Sequence, residues 1–189
     1  MKDIFKISLY EKILNINNQE LLNYILNLKK TSKGVCKSNP TGWQSQSLNL
    51  TKTIFTELNN KIIENFLKYI NQIPLKNDFK ITSMWANVNN YKDYNTIHAH
   101  GNSVISGVYY LKTPKQCGNI YFRHPFLQVM ENVWSDCVKE NSCYNSTSFS
   151  VQPIESKLIL FPGWLEHGVE PNLNKKENRV SISFNITKY

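Results

Sequence analysis

Apolar residues recur at helical spacing through the first part of the chain and at strand spacing through the rest. Over Gln19–Lys30 they fall at Leu21, Leu22, Ile25, Leu26 and Leu28, and the segment ends in Lys, as a helix C-terminus prefers. Thr51–Ile73 repeats the pattern with Ile54, Phe55, Leu58, Ile62, Phe66 and Ile70 and stops at Pro74, which predicts a second helix. Lys33–Leu50 between them reads as loop. From Phe79 the period shortens. Runs rich in β-formers at Lys80–Asn89, Val104–Lys112, Gly118–Arg123, Lys157–Phe161 and Arg179–Thr187 are separated by Pro, Gly and Asn and predict strands. Several short strands with turn signals argue for a sandwich or barrel with helices packed on it. One connection stands apart. His124–Ser150 runs 27 residues with little periodicity, a length typical of a lid or mobile segment in a compact domain.

With 189 residues, 41% hydrophobic and 19% charged, the chain can bury a sizeable core. One domain is expected, with residues 1–78 a helical support and 79–189 the β core. No apolar run approaches the ~18–20 residues of a membrane span, and the start is broken by charge too often for a signal peptide. A cytoplasmic protein without membrane association is expected. The net charge of +8 comes mostly from scattered Lys, with no block of like charge, so a nucleic-acid role is not favoured. Against 25 Asn and 20 Lys there are only 2 Arg, at 123 and 179, and each stands out where Lys is the common cation. Cys36, Cys117, Cys137 and Cys143 form no Cys-x-x-Cys pair, which argues against structural zinc. Free thiols are expected, with Cys137 and Cys143 the pair that oxidation could bridge.

All four histidines, His98, His100, His124 and His167, lie in the β-rich part. Residues i and i+2 on a strand share a face about 6–7 Å apart, so His98 and His100 can reach one metal ion. Alone, the pair could equally cap a polar strand end. His167 follows the run Leu158-Ile-Leu-Phe-Pro-Gly-Trp-Leu-Glu, where an apolar strand and a Pro-Gly turn set an imidazole at the next strand's start. His124, before Pro125 at a strand exit, has no such setting and is not expected to ligate. In Arg179–Asn185, Arg179, Ser181 and Ser183 alternate with Val180, Ile182 and Phe184. An inward face bearing Arg and Ser suits a buried carboxylate ligand, because a bidentate charge-assisted pair offsets desolvation. An exposed Arg on a solvated face is the plainer alternative.

Together these spacings resemble the iron(II)- and 2-oxoglutarate-dependent oxygenases: His-x-His, a third His 67 residues later, and Arg-x-Ser twelve further on. Ser106-Gly-Val-Tyr-Tyr110-Leu followed by Gly118-Asn-Ile-Tyr-Phe resembles the prolyl hydroxylase branch. Gly42-Trp-Gln-Ser45, Trp85-Ala-Asn87 and Phe161-Pro-Gly-Trp-Leu-Glu-His are similar to a group of such oxygenases frequent in marine bacteria and their phages. The resemblance spans nearly the whole chain and is strongest over residues 83–187.

It implies a double-stranded β-helix (jelly roll) of mainly β, α+β class. It also implies Fe(II) on His98, His100 and His167, and 2-oxoglutarate as cosubstrate with O2. The distal carboxylate would be held by Arg179, Tyr110 and Ser181, while Asn87 would lie toward the iron-proximal end. The implied reaction hydroxylates a C–H bond of a peptide or small molecule, with peptidyl proline first among substrates. Arg123, His124 and Pro125 could contact that substrate, and 124–150 could exclude water. One departure is evident. The family's usual carboxylate, two residues after the first His, is here His100, and Asp93, five residues before His98, cannot replace it by spacing. A neutral three-His face leaves the metal at a formal +2, which the dianionic cosubstrate could balance. Three-His faces also occur in cupin-type oxygenases without 2-oxoglutarate, and a non-catalytic metal-binding jelly-roll module needs neither Arg179 nor a lid. Arg179 with Ser181 and Tyr110 favours the cosubstrate-dependent reading.

Overall fold

The structure is a computed structural model that describes residues 5–76, 78–134 and 136–189. In chain order its elements are β1 (Tyr10–Ile13), α1 (Asn18–Thr31), β2 (Trp43–Gln44), α2 (Thr56–Ile70), β3 (Phe79–Asn89), β4 (Asn95–His98), β5 (Ile105–Lys112), β6 (Ile120–Arg123), α3 (Leu127–Trp134), β7 (Ser148–Val151), β8 (Lys157–Pro162), β9 (His167–Val169) and β10 (Arg179–Lys188). Two antiparallel sheets result, one ordered β1-β8-β5-β10-β3-β2 and the other β4-β9-β6-β7. This is the jelly roll expected from the sequence.

Both predicted helices form. Asn17 caps α1 by accepting from the Gln19 N–H, Leu21 and Ile25 are buried, and Lys29 and Lys30 complement the last turn. In α2 the buried stripe is Leu58, Ile62, Asn65, Phe66 and Tyr69. These helices cover the larger sheet, where they join Met84, Ala86, Val88, Tyr109, Val180, Ile182 and Phe184 in the main core. Burying each such large apolar side chain contributes roughly 1.5–3 kcal/mol, and Ile62→Ala would cost about 2–5 kcal/mol. A smaller cluster fills the space between the sheets, with Val108, Tyr110, Ile159 and Phe161 from one and Ile120, Phe122 and Val151 from the other.

The first 78 residues are not purely helical. Residues 10–13 form β1, which pairs with β8, and Trp43 and Gln44 pair with β3 from within the expected loop. Neither strand announces itself. β1 alternates weakly because it is an edge strand with three exposed residues, and β2 is two residues long. The long connection is also not structureless, since it carries α3, eight residues with none buried. An eight-residue helix is shorter than the window in which periodicity is legible. Cys137 and Cys143 within this connection are exposed free thiols. No helix among the described residues is long and apolar enough to cross a membrane.

Candidate active site

β10 lies between β3 and β5 and pairs with both, so its alternation sets two environments. Val180, Ile182 and Phe184 face the helices. Arg179, Ser181 and Ser183 face a cavity between the sheets, as the alternation predicts. Register places Ser181 opposite Asn87 on β3 and Tyr110 on β5. All three line the cavity with Arg179, so the fold gathers the four side chains expected toward 2-oxoglutarate.

At one end stand three imidazoles. His98 and His167 are Cα partners across β4 and β9. His100 lies beyond the end of β4, a correction to the expectation that one strand carries both members of the His-x-His pair. Its backbone N–H donates to the Gly163 carbonyl at 2.8 Å, which ties it to the Pro-Gly turn that precedes His167. Gly163 permits this approach, because a Cβ there would run into the Ser103 backbone. Candidate ligand atoms of the three rings lie within 4.8 Å of one another. The ring centroids are 4.4 to 5.2 Å apart.

Local chemistry suits metal binding. Nδ1 of His98 sits 2.8 Å from the Thr96 carbonyl and Nδ1 of His167 sits 2.9 Å from that of Leu165, so each Nδ1–H donates and leaves Nε2 a lone pair. Burial holds all three imidazoles neutral. It lowers His98, brings His100 to about 4 with help from His98, and brings His167 to about 3. Neutral nitrogen donors converging this way fit a divalent first-row metal.

The other end holds Arg179, 2% exposed. Its Nη1 donates to the carbonyls of Cys117, Gly118 and Glu170 at 2.6, 3.2 and 3.4 Å. Gly118, at φ 79°, lies so close to Glu170 and Pro171 that a Cβ would strike their carbonyls. Nη2 of Arg179 is buried without a hydrogen-bond partner. A desolvated guanidinium normally has all its donors engaged, and an idle one costs free energy unless a ligand accepts from it. Burial lowers the Arg179 pKa and raises that of Tyr110, which leaves the phenol a neutral donor. A carboxylate fits this end.

The remaining expectations divide. Asn87 Oδ1 is buried and unpartnered, while its Nδ2 donates to Ser183 Oγ at 3.2 Å. Asp93 is engaged elsewhere, accepting from the backbone N–H and Nδ2 of Asn90, and does not join the histidine group. His124 also lies outside that group, its Nδ1 accepting from the Phe126 N–H at 3.1 Å. Arg123, His124 and the rest of 124–150 contribute nothing to the cavity wall among the described residues. Sequence reasoning missed Ser38 and Asn95, which line the cavity and bond to each other at 3.1 Å. It also missed Trp85 as a wall residue, its ring 5.6 Å from that of His100. Trp85 could have been found, since it shares the β3 face of Asn87. Ser38 carried no signal, because its place depends on how the loop folds over β4.

The family model described as "Putative 2OG-Fe(II) oxygenase" matches residues 83–185, more than half of the chain. The chain belongs to this family. It is therefore a 2-oxoglutarate-dependent oxygenase that uses Fe(II) and O2, and both ends of the cavity fit those groups. No curated protein matches it in sequence. Among solved structures, a prolyl-4-hydroxylase of Pseudomonas putida superposes with a TM-score of 0.68 at 13% identity, over 97% of this chain and 94% of that one. The viral collagen prolyl hydroxylase of Paramecium bursaria Chlorella virus-1, a 2-oxoglutarate complex, gives 0.60 at 14% identity over 94% of each chain. HygX of Streptomyces hygroscopicus, with nickel and 2-oxoglutarate bound, gives 0.64 at 10% identity over 96% of this chain and 83% of that one. At these identities the likeness shows the fold.

Proposed function

We propose that this oxygenase hydroxylates an aliphatic C–H bond, with His98, His100 and His167 holding Fe(II) and Arg179, Tyr110 and Ser181 holding the distal carboxylate of 2-oxoglutarate. When bound, the iron and the keto acid would activate O2 as the oxidant, a chemistry that side chains lack. The chain's part is binding, orientation and exclusion of water. His98 and His167 present their Nε2 atoms because backbone carbonyls fix the opposite nitrogens. Arg179 anchors one nitrogen on three carbonyls and offers the other, while Tyr110 and Ser181 lie beside it in one cross-strand row. Asn87, in that row on the β3 side, serves the iron-proximal end. Phe161, its ring 4.6 Å from that of His167, and Ile120 add apolar wall to the cavity.

The observation that carries this reading is the idle, buried Nη2 of Arg179. It favours the cosubstrate-dependent reading over a three-His oxygenase without 2-oxoglutarate and over an inert metal-binding module, neither of which needs a carboxylate site. A prolyl unit is the first substrate to test, because two of the structures that share the fold are prolyl hydroxylases. Anaerobic addition of Fe(II) and then 2-oxoglutarate should produce a weak visible charge-transfer band in the wild type. Its absence in the wild type, with iron bound, would overturn the cosubstrate assignment.

A further inference from the structure

Among the described residues, no Asp or Glu side chain lines the cavity. The one charged group that the described residues place in its wall is Arg179, 2% exposed and in no ion pair with a described residue. Asp93 and Glu170, whose charges act on Arg179, lie outside the wall, where Asp93 accepts from Asn90 and Glu170 Oε2 accepts from the Asn119 N–H at 2.9 Å. The group poised for the metal is three imidazoles, where the usual facial triad has two imidazoles and a carboxylate. No described residue thus places a negative charge against a divalent ion.

2-Oxoglutarate does not close the account. Its two charges sit at opposite ends of the molecule. Arg179 neutralises the distal carboxylate, so only the proximal one is left for the metal. One positive charge then persists at the metal end, among walls that screen it less than water does. We infer that the loaded centre takes one further anion, and that this anion is the negatively charged group of the substrate, a carboxylate or similar oxyanion close to the reacting carbon. A neutral internal peptide segment leaves the charge unmet, whereas a prolyl unit with a free carboxylate, or another small carboxylic acid, cancels it. This inference rests on the assignment of the three histidines to iron and of Arg179 to 2-oxoglutarate.

The test uses the whole protein loaded with cobalt(II), with azide as the anion probe. Wild type, His100→Asp and His100→Gln are compared at equal metal occupancy, with and without saturating 2-oxoglutarate. Azide binding is read from the cobalt visible bands, and 2-oxoglutarate binding is read separately by calorimetry. Wild type should bind azide even with 2-oxoglutarate present. His100→Asp should bind it about tenfold or more weakly, since it restores one negative charge at contact distance. His100→Gln, which changes the ligand but not the charge, should stay within about threefold of wild type. Equal azide affinity in wild type and His100→Asp, or loss of azide binding once 2-oxoglutarate is bound, would overturn the inference. A wild type that binds azide but not 2-oxoglutarate instead sinks the cosubstrate assignment, and the comparison without 2-oxoglutarate still reads the charge.

Discussion

His98 and His167 are Cα partners across the antiparallel β4–β9 pair, and their ring centroids lie 4.4 Å apart. Each turns Nδ1 to the carbonyl two residues before it, so the same local bond on two strands leaves two Nε2 atoms free. His100 completes the group from outside the strand, through its backbone bond to Gly163. Single alanine variants at 98, 100 and 167 should therefore each lose metal affinity by more than the roughly 10- to 100-fold that loss of an outer partner costs. His124→Ala should bind metal like wild type. Metal analysis after dialysis checks this, and iron retention in His100→Ala with loss in His124→Ala would invert the assignment.

Metal-free protein should be acid-labile well above the range of its carboxylates. The folded pKa of His167 is about 3 and that of His100 about 4, both below the unfolded value near 6.5. Below pH 6.5 the unfolded chain binds protons that the folded chain refuses. Stability is thus complete above pH 6.5 and falls as pH drops from there toward the folded values. For His167 alone the loss is about 1.4 kcal/mol per pH unit, or about 2 kcal/mol between pH 6.5 and 5. Urea unfolding of the metal-free protein at pH 7.5, 6 and 5 measures it, and a flat profile would refute the buried-neutral description.

Arg179→Ala should weaken 2-oxoglutarate binding by about 30- to 1000-fold, equivalent to losing a charge-assisted pair worth roughly 2–4 kcal/mol. Arg179→Lys should recover only part, because an ammonium supplies charge without the planar fork. Iron content should stay near wild type in both. Calorimetric titration with 2-oxoglutarate, alongside metal analysis, separates the two effects.

Tyr110→Phe removes a hydroxyl that bonds to no described residue, so its thermal stability should match wild type. Its affinity for 2-oxoglutarate should fall by about 10- to 150-fold, the worth of one hydrogen bond to a charged group of about 1.5–3 kcal/mol. Unchanged affinity would take Tyr110 out of the carboxylate site.

Gly118→Ala should damage the Arg179 end indirectly. A side chain at φ 79° is strained, and its Cβ would strike the Pro171 carbonyl and displace that of Glu170, which shares the cradle. A loss of about 1–3 kcal/mol in stability is expected, with weaker 2-oxoglutarate binding. Gly101→Ala, whose Cβ would meet open space, is the control and should change neither. Thermal melts and the same titration distinguish them.

The sequence by itself determined the long periodic elements and the identities at both ends of the cavity. Alternation is local, so the face carrying Arg179, Ser181 and Ser183 was legible from β10 alone, as was the apolar stripe of α2. The three histidines and their spacing were legible too. What tertiary structure decided is what depends on contacts between distant segments. β1 exists because β8 offers it a ladder, and no period in four half-charged residues could reveal that. His100 faces its partners through a carbonyl 63 positions away, not through strand alternation. The idle nitrogen of Arg179 is defined by where the Cys117, Gly118 and Glu170 carbonyls fall around the other one. The absence of acids from the cavity wall among the described residues is likewise a property of the assembled sheets, because a charge balance belongs to the space that residues enclose and not to their order along the chain.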